Sequence, residues 1–206
     1  MSPEPRGVFE RAELRRWVVA GAAAAVLLAV GAMFIGRELI APDPAPPQPR
    51  APSADEFARF TDAEAAFSIS YPAGWRRLPS PNPEVRLLVE GDGSSMLVRV
   101  TELGVDVGPK NLDAAKRLTD KLVGSVDQAK LQRRPRRVTL GGLPGFLYLY
   151  TFPDPVTGQL GAHAHYFAFR GRTLITIVFQ TVPAKRLASL APLFDRIGES
   201  LRSIPG

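Results

Sequence analysis

Cysteine is absent from the 206-residue chain. That excludes a disulfide scaffold, a thiol nucleophile, an iron–sulfur cluster, a cysteine-built zinc site and a lipidated N-terminal cysteine. It leaves the redox compartment open, because a cysteine-free protein is safe in either. Histidine is scarce, with two residues. The sequence has no G-x-S-x-G elbow, no Walker loop, no H-E-x-x-H and no G-x-G-x-x-G, so the familiar enzyme signatures are missing. Internal repeats are missing too. The length is too short for a large multidomain enzyme. What remains is 45% hydrophobic and 22% charged, a globular composition, with 26 Lys+Arg against 20 Asp+Glu and a formal charge of +6.

From Trp17 to Gly36 the chain reads WVVAGAAAAVLLAVGAMFIG without a charge. Twenty residues at helical rise span about 30 Å, the hydrocarbon thickness of a bilayer. Hydrocarbon offers backbone groups no partner, so such a segment is helical. Arg6, Arg11, Arg15 and Arg16 precede it, and only Arg37 follows closely. The positive-inside bias then predicts a cytoplasmic segment 1–16, a transmembrane helix 17–36 and an extracytoplasmic remainder. A cleaved signal peptide is the rival reading, but its apolar core is shorter and ends in a small-residue cleavage site. Residues 41–53, APDPAPPQPRAPS, carry six prolines. They read as a polyproline II spacer reaching roughly 40 Å within a linker 37–57.

The remainder, 58–206, is large enough for a core. Phe67–Tyr71 alternates like a half-buried strand, and Pro72-Ala73-Gly74 turns it before Trp75, a core anchor. Val85–Glu90 and Ser95–Glu102 flank Gly91-Asp92-Gly93 as a hairpin. Asn111 offers an N-cap to a helix whose stripe is Leu112, Ala115, Leu118, Leu122 and Val126, with Asp113 to Arg117 as an i,i+4 pair. Gly145–Phe152 is apolar on both sides, hence covered on both. His163–Arg170 and Thr173–Thr181 read as a hairpin turning at Gly171-Arg172. A last stripe, Leu190, Phe194, Ile197, Leu201 and Ile204, is helical, with Pro192 expected near the first turn after a short helical approach from Pro183. The order predicts an α+β fold, an antiparallel sheet flanked by helices.

Three segments carry a resemblance: FSISYPAGW at 67–75, VTLGGLPGFLYLY at 138–150 and FDRIGESLRSI at 194–204. Together they resemble PsbP-like domains, the fold also seen in actinobacterial LpqN-type lipoproteins and in the envelope protein DcrB. The motifs are short and degenerate, and they span about 58–204. The resemblance implies an α/β/α sandwich and an accessory role; it implies no reaction. The chain departs from the lipoproteins in lacking their anchoring cysteine, which helix 17–36 replaces. Its Ala-, Arg- and Pro-rich composition is also of actinobacterial type. No metal-handling or docking residue of PsbP has a match here.

Lys130, Arg133, Arg134, Arg136 and Arg137 put five cations in eight positions. From residue 54 onward the chain holds 20 Lys+Arg and 15 Asp+Glu, so this run accounts for the whole local excess. It is a candidate surface for an acidic partner or an anionic membrane, and otherwise a solvated loop. The topology argues against nucleic acid. His163 and His165, at i and i+2, share a strand face and can begin a zinc or copper site if a carboxylate such as Asp154 completes it; the alternative is packed histidines. The row Phe146, Tyr148, Tyr150, Phe152 is core or an apolar groove. Ser94 and Ser95 lack an evident base, although a pairing with either histidine is a matter of geometry. The reading that fits best is a single-pass, membrane-anchored extracytoplasmic module, non-catalytic, without a cofactor, binding a protein of the cell envelope. A small-ligand or metal carrier is the alternative, and a hydrolase the third.

Overall fold

The computed structural model describes residues 56–108, 110–126 and 128–204. The expected cytoplasmic segment 1–16, the transmembrane helix 17–36 and residues 37–55 of the linker lie outside the described residues; Phe57, expected to end the linker, already belongs to a strand.

Turn chemistry sets the sheet. Strands β4 (Val85–Gly91) and β5 (Ser94–Val107) pair antiparallel from Val85↔Arg99 to Gly91↔Ser94. Between them Asp92 and Gly93 have φ of 51° and 66°, the two left-handed positions a type I′ hairpin turn requires. β8 (Leu143–Pro153) pairs with the first half of β9 (Leu160–Thr181), from Gly145↔Ala168 to Pro153↔Leu160. The second half of β9 pairs with β5, from Thr173↔Glu102 to Thr181↔Ser94. Strand backbone runs unbroken through β9, yet the chain folds back at Gly171, whose φ is 57°. Nε2 of His163 lies 2.8 Å from Oε1 of Gln180, 17 residues on. A straight strand would hold them about 55 Å apart. The hairpin expected at Gly171-Arg172 is therefore present inside β9, with glycine at the first position, where a II′ turn needs it.

The larger sheet runs β3 (Arg76–Arg77), β4, β5, β9, β8, with β6 (Lys130–Leu131) and β7 (Arg136–Leu140) sharing the outer edge of β8. A smaller sheet holds β1 (Phe57–Asp62), β2 (Phe67–Pro72) and β10 (Arg202–Ser203). All the pairings are antiparallel. Helix α1 (Leu112–Gly124) lays Leu112, Ala115, Leu118 and Val123 in one core with Phe146, Tyr148, Tyr150, Phe167 and Phe169. On the opposite face, helix α2 (Leu187–Glu199) contributes Leu190, Phe194 and Ile197 to a second core with Phe67 and Ile69 of β2 and Ile175, Ile177 and Phe179 of β9. The expected α+β architecture of antiparallel strands and two flanking helices is present. Trp75 is 6% exposed and covers Gly91, as an anchor should.

Local expectations fail where side chains choose partners across the fold. Asn111 precedes α1 but makes no side-chain cap. Its Oδ1 accepts from Gly108 N at 2.8 Å and its Nδ2 donates to the Asp106 carbonyl at 2.6 Å, tying down the loop before the helix. Asp113 pairs with Arg137 of β7, and the i,i+4 pair on α1 is Lys116–Asp120. Pro192 sits inside α2, on its exposed side, where its missing N–H leaves the Ala188 carbonyl without an intrahelical donor. The short helical approach is present as a 3₁₀ turn, Ala184–Arg186. The closing stripe leaves the helix after Glu199, and Arg202–Ser203 join β2 as an edge.

Candidate functional site

One row across the large sheet, on its α1 face, gathers the histidine chemistry. Ser95 of β5 stands opposite Gln180 of β9. Gln180 meets His163, His163 stands opposite Tyr150 of β8, and Tyr150 opposite Leu131 of β6. His165 is one step along the same face, opposite Tyr148. The i,i+2 spacing thus brings both imidazoles to one place. The Tyr150 hydroxyl lies 2.9 Å from Nδ1 of His163 and 3.3 Å from Nδ1 of His165. Because Gln180 Oε1 can only accept, Nε2 of His163 carries the proton. Its Nδ1 then accepts from Tyr150, whose oxygen accepts from Nδ1–H of His165. That leaves Nε2 of His165 a bare acceptor, buried and without a hydrogen-bond partner among the described residues.

Burial dominates the electrostatics. Desolvation pushes His163 down to about 4, against a smaller upward pull from Gln180. His165 is driven well below its usual value by burial, then by the charges of His163 and Arg99. Its ring stacks on Phe167 with centroids 4.3 Å apart. Burial also raises the Tyr150 hydroxyl. The cluster is neutral at ordinary pH and acts as a polar brace between β8 and the two halves of β9.

The histidines converge, then, but a tyrosine hydroxyl stands between their Nδ1 atoms. Asp154 is held elsewhere: its Oδ2 accepts from Thr157 N at 2.9 Å and Thr157 Oγ1 at 2.6 Å, closing the β8–β9 turn. Among the described residues no group of three His, Cys, Asp or Glu gathers. Ser95 faces the histidine side, but Gln180 lies between it and His163, and two strand spacings are about 9.6 Å. Ser94 points to the other face, opposite Thr181, its Oγ buried and without a hydrogen-bond partner among the described residues. The aromatic row of Phe146, Tyr148 and Tyr150 is core beneath α1.

The basic run occupies the outer edge of β8. Lys130 stands opposite Thr151, and Arg136 and Arg137 opposite Leu147 and Phe146. Alternation sends Arg136 toward the α2 face and Arg137 toward the α1 face, where it meets Asp113. Arg133 and Arg134 lie in the loop between, exposed. Among the described residues no carboxylate forms an ion pair with Lys130, Arg133 or Arg134. Cations here also blunt an edge that would otherwise invite another strand. Sequence reasoning missed Gln180, and Arg99, whose Nε donates to Glu84 at 2.9 Å with 7% of its side chain exposed. Each is a long polar side chain at a buried position of a largely apolar strand, a signal readable in MLVRV and TIVFQ.

No family model and no curated protein matches the chain by sequence. Among solved structures it is similar to the cyanobacterial PsbP (CyanoP) of Synechocystis, with a TM-score of 0.53 at 17% identity, covering 77% of this chain and 99% of that one. The structure of LpqN of Mycobacterium tuberculosis, titled as involved in cell envelope biogenesis, gives a TM-score of 0.53 at 12% identity, over 74% of this chain and 87% of that one. A Bacteroides thetaiotaomicron protein gives 0.52 at 14% identity, over 73% of this chain and 49% of that one. The described domain therefore has a PsbP-like fold. At these identities the likeness is one of fold alone.

Proposed function

We propose that the chain is a single-pass, membrane-tethered binding module of the cell envelope, without catalysis, that engages an acidic partner through its β6–β7 edge. One observation carries the reading. Lys130, Arg133 and Arg134 are exposed cations without a carboxylate partner among the described residues, aligned on one edge of the sheet. The polar groups that chemistry would use, the His163–Tyr150–His165 chain and Gln180, are turned on one another. The uncharged run 17–36 supports the tether, and the structural likeness to LpqN agrees with a place in the envelope.

The test is a photo-crosslinker at Gln132, exposed on this edge, in the full chain in its own membrane, with Ser189 on α2 as the control site. Adducts specific to Gln132, lost when Arg133, Arg134, Arg136 and Arg137 become alanine, are expected. Equal adducts at Gln132 and Ser189, or adducts unchanged in the alanine variant, would remove this edge as the contact surface.

A further inference from the structure

We infer that the acidic partner is an anionic lipid leaflet, and that the end of the large sheet holding the β8–β9 turn rests on it. This rests on the binding-module reading above and names the partner of its basic edge. Three large apolar side chains are exposed among the described residues: Leu131 at 52%, Val156 at 49% and Leu160 at 55%. They share one end of the molecule. Leu160 stands opposite Pro153, Val156 lies in the turn between those two, and Leu131 stands opposite Tyr150, three residues back along β8. Three residues of strand are about 10 Å. Lys130, opposite Thr151, stands beside this tip, and the exposed Arg133 and Arg134 continue the same edge behind Leu131, toward the level of Leu147.

The chain enters the domain at the same end. Ala73 N donates to the Glu56 carbonyl at 2.6 Å, and Trp75, two residues on, covers Gly91. Gly91 pairs with Ser94 and Ser94 with Thr181, beside Gln180, which touches His163, three residues from Leu160. The chain therefore enters the domain at the end of the large sheet that holds the apolar tip, on the edge opposite Lys130. The spacer's reach of roughly 40 Å spans a folded domain of this size, so the tether permits the contact. Asp92, an exposed acid at this end, lies across the width of the sheet in the β4–β5 turn.

The chemistry selects lipid over protein. Stable attachment to a membrane surface combines apolar insertion with a polybasic patch, because either alone is marginal. A tether raises the effective concentration and lets a weak patch dock. A protein partner would need a pocket for each of three apolar side chains that stand on separate strands and a turn. A headgroup layer yields to all three, while the long cationic side chains reach back to phosphate.

The cysteine-free chain makes the test direct. The full chain carrying Val156→Cys is labelled with an environment-sensitive dye. It is placed in nanodiscs of phosphatidylcholine, or of phosphatidylcholine and phosphatidylglycerol in equal parts. The control is Gly104→Cys, at the Gly171 end of the sheet, where an added Cβ meets nothing within 4 Å. The expected result is a blue shift and quenching by spin-labelled lipid at Val156 in the mixed discs only. Both are lost at high salt and in Arg133→Ala/Arg134→Ala, and weakened in Leu131→Ser/Leu160→Ser, with Gly104 silent. Equal emission at Val156 in the two discs, or an equal response at Gly104, would overturn the lipid partner while leaving the basic edge to its crosslinks. A chain that neither disc retains would strike the anchor and both readings with it.

Discussion

His163 and Gln180 belong to one strand, 17 residues apart, and share a hydrogen bond of 2.8 Å. That contact exists because Gly171 reverses the chain inside β9. It places a neutral imidazole where its protonation would break a brace between three strand segments.

Acid should therefore weaken the fold. His163 falls from 6.5 to about 4 in the folded state. Between those values the unfolded chain takes up a proton that the folded state refuses, so stability declines as pH falls through that window and is unaffected by this group above it. The loss from His163 reaches at most about 3 kcal/mol. His165, lowered further, acts in the same direction. Denaturant midpoints of wild type and His163→Gln, measured from pH 7 to pH 4, should differ by an amount that changes across the window. Parallel curves would show that the imidazole does not titrate this way.

A glycine governs the Trp75 anchor. A Cβ at Gly91 would lie 2.9 Å from Cγ and Nε1 of the Trp75 ring, closer than packed atoms tolerate. Gly91→Ala should displace the indole and cost about 1–3 kcal/mol. Urea unfolding and Trp75 emission, read in a Trp17→Phe background, check it. An unchanged midpoint with unchanged emission would mean that the indole has room to move.

Both hairpin turns, the two amphipathic stripes and the shared face of the histidines were legible, because each depends on neighbours within a few residues. Gly171 fixes a turn locally, and the 3.6-residue period fixes the buried side of α1. The rest depended on register between distant strands. Nothing in FARFTD announces β1, whose Phe57 and Phe60 break a period of two. Nothing local says that Arg137 will take Asp113 from Arg117, or that β7 will turn Arg136 and Arg137 to opposite faces. Tyr150 and Gln180 became part of the candidate site only when pairing set them beside His163. The basic run was legible as composition; its alignment with Leu131, Val156 and Leu160 was not.

Tyr148 fastens α1 to the sheet. Its hydroxyl donates to Asp120 at 2.6 Å and lies 2.7 Å from Oγ1 of Thr119, which is fully buried. Tyr148→Phe should cost about 1–3 kcal/mol, since the bond lost is to a carboxylate; the buried Thr119 hydroxyl keeps its bond to the Lys116 carbonyl. Hydrogen exchange in residues 112–124 should rise more than in β9. Equal rises would mean that the helix and the sheet open together.

Metal should not be retained by the histidine pair. Coordination through Nδ1 would displace the Tyr150 hydroxyl from both rings, coordination through Nε2 of His163 would break the bond to Gln180, and the bare Nε2 of His165 is a single ligand with no group of three ligating side chains around it among the described residues. Protein incubated with zinc or copper and then desalted should carry substoichiometric metal by native mass spectrometry. One equivalent bound, and lost in His163→Ala, would favour the carrier reading.

Ser95 should be inert toward a fluorophosphonate. A serine nucleophile needs its base within hydrogen-bond reach, and here the Gln180 side chain holds Nε2 of His163, the nitrogen nearest the β5 side of the row. Burial further limits Ser95, at 6% exposure, and Ser94, at 5%. Replacing Gln180 tests the geometry directly: Gln180→Ala frees Nε2 but leaves two strand spacings between it and Ser95. Neither wild type nor Gln180→Ala should label. Labelling of Ser95 in wild type that disappears in His163→Ala would show that the row moves enough to form the pair, and would put a hydrolase ahead of a binding module.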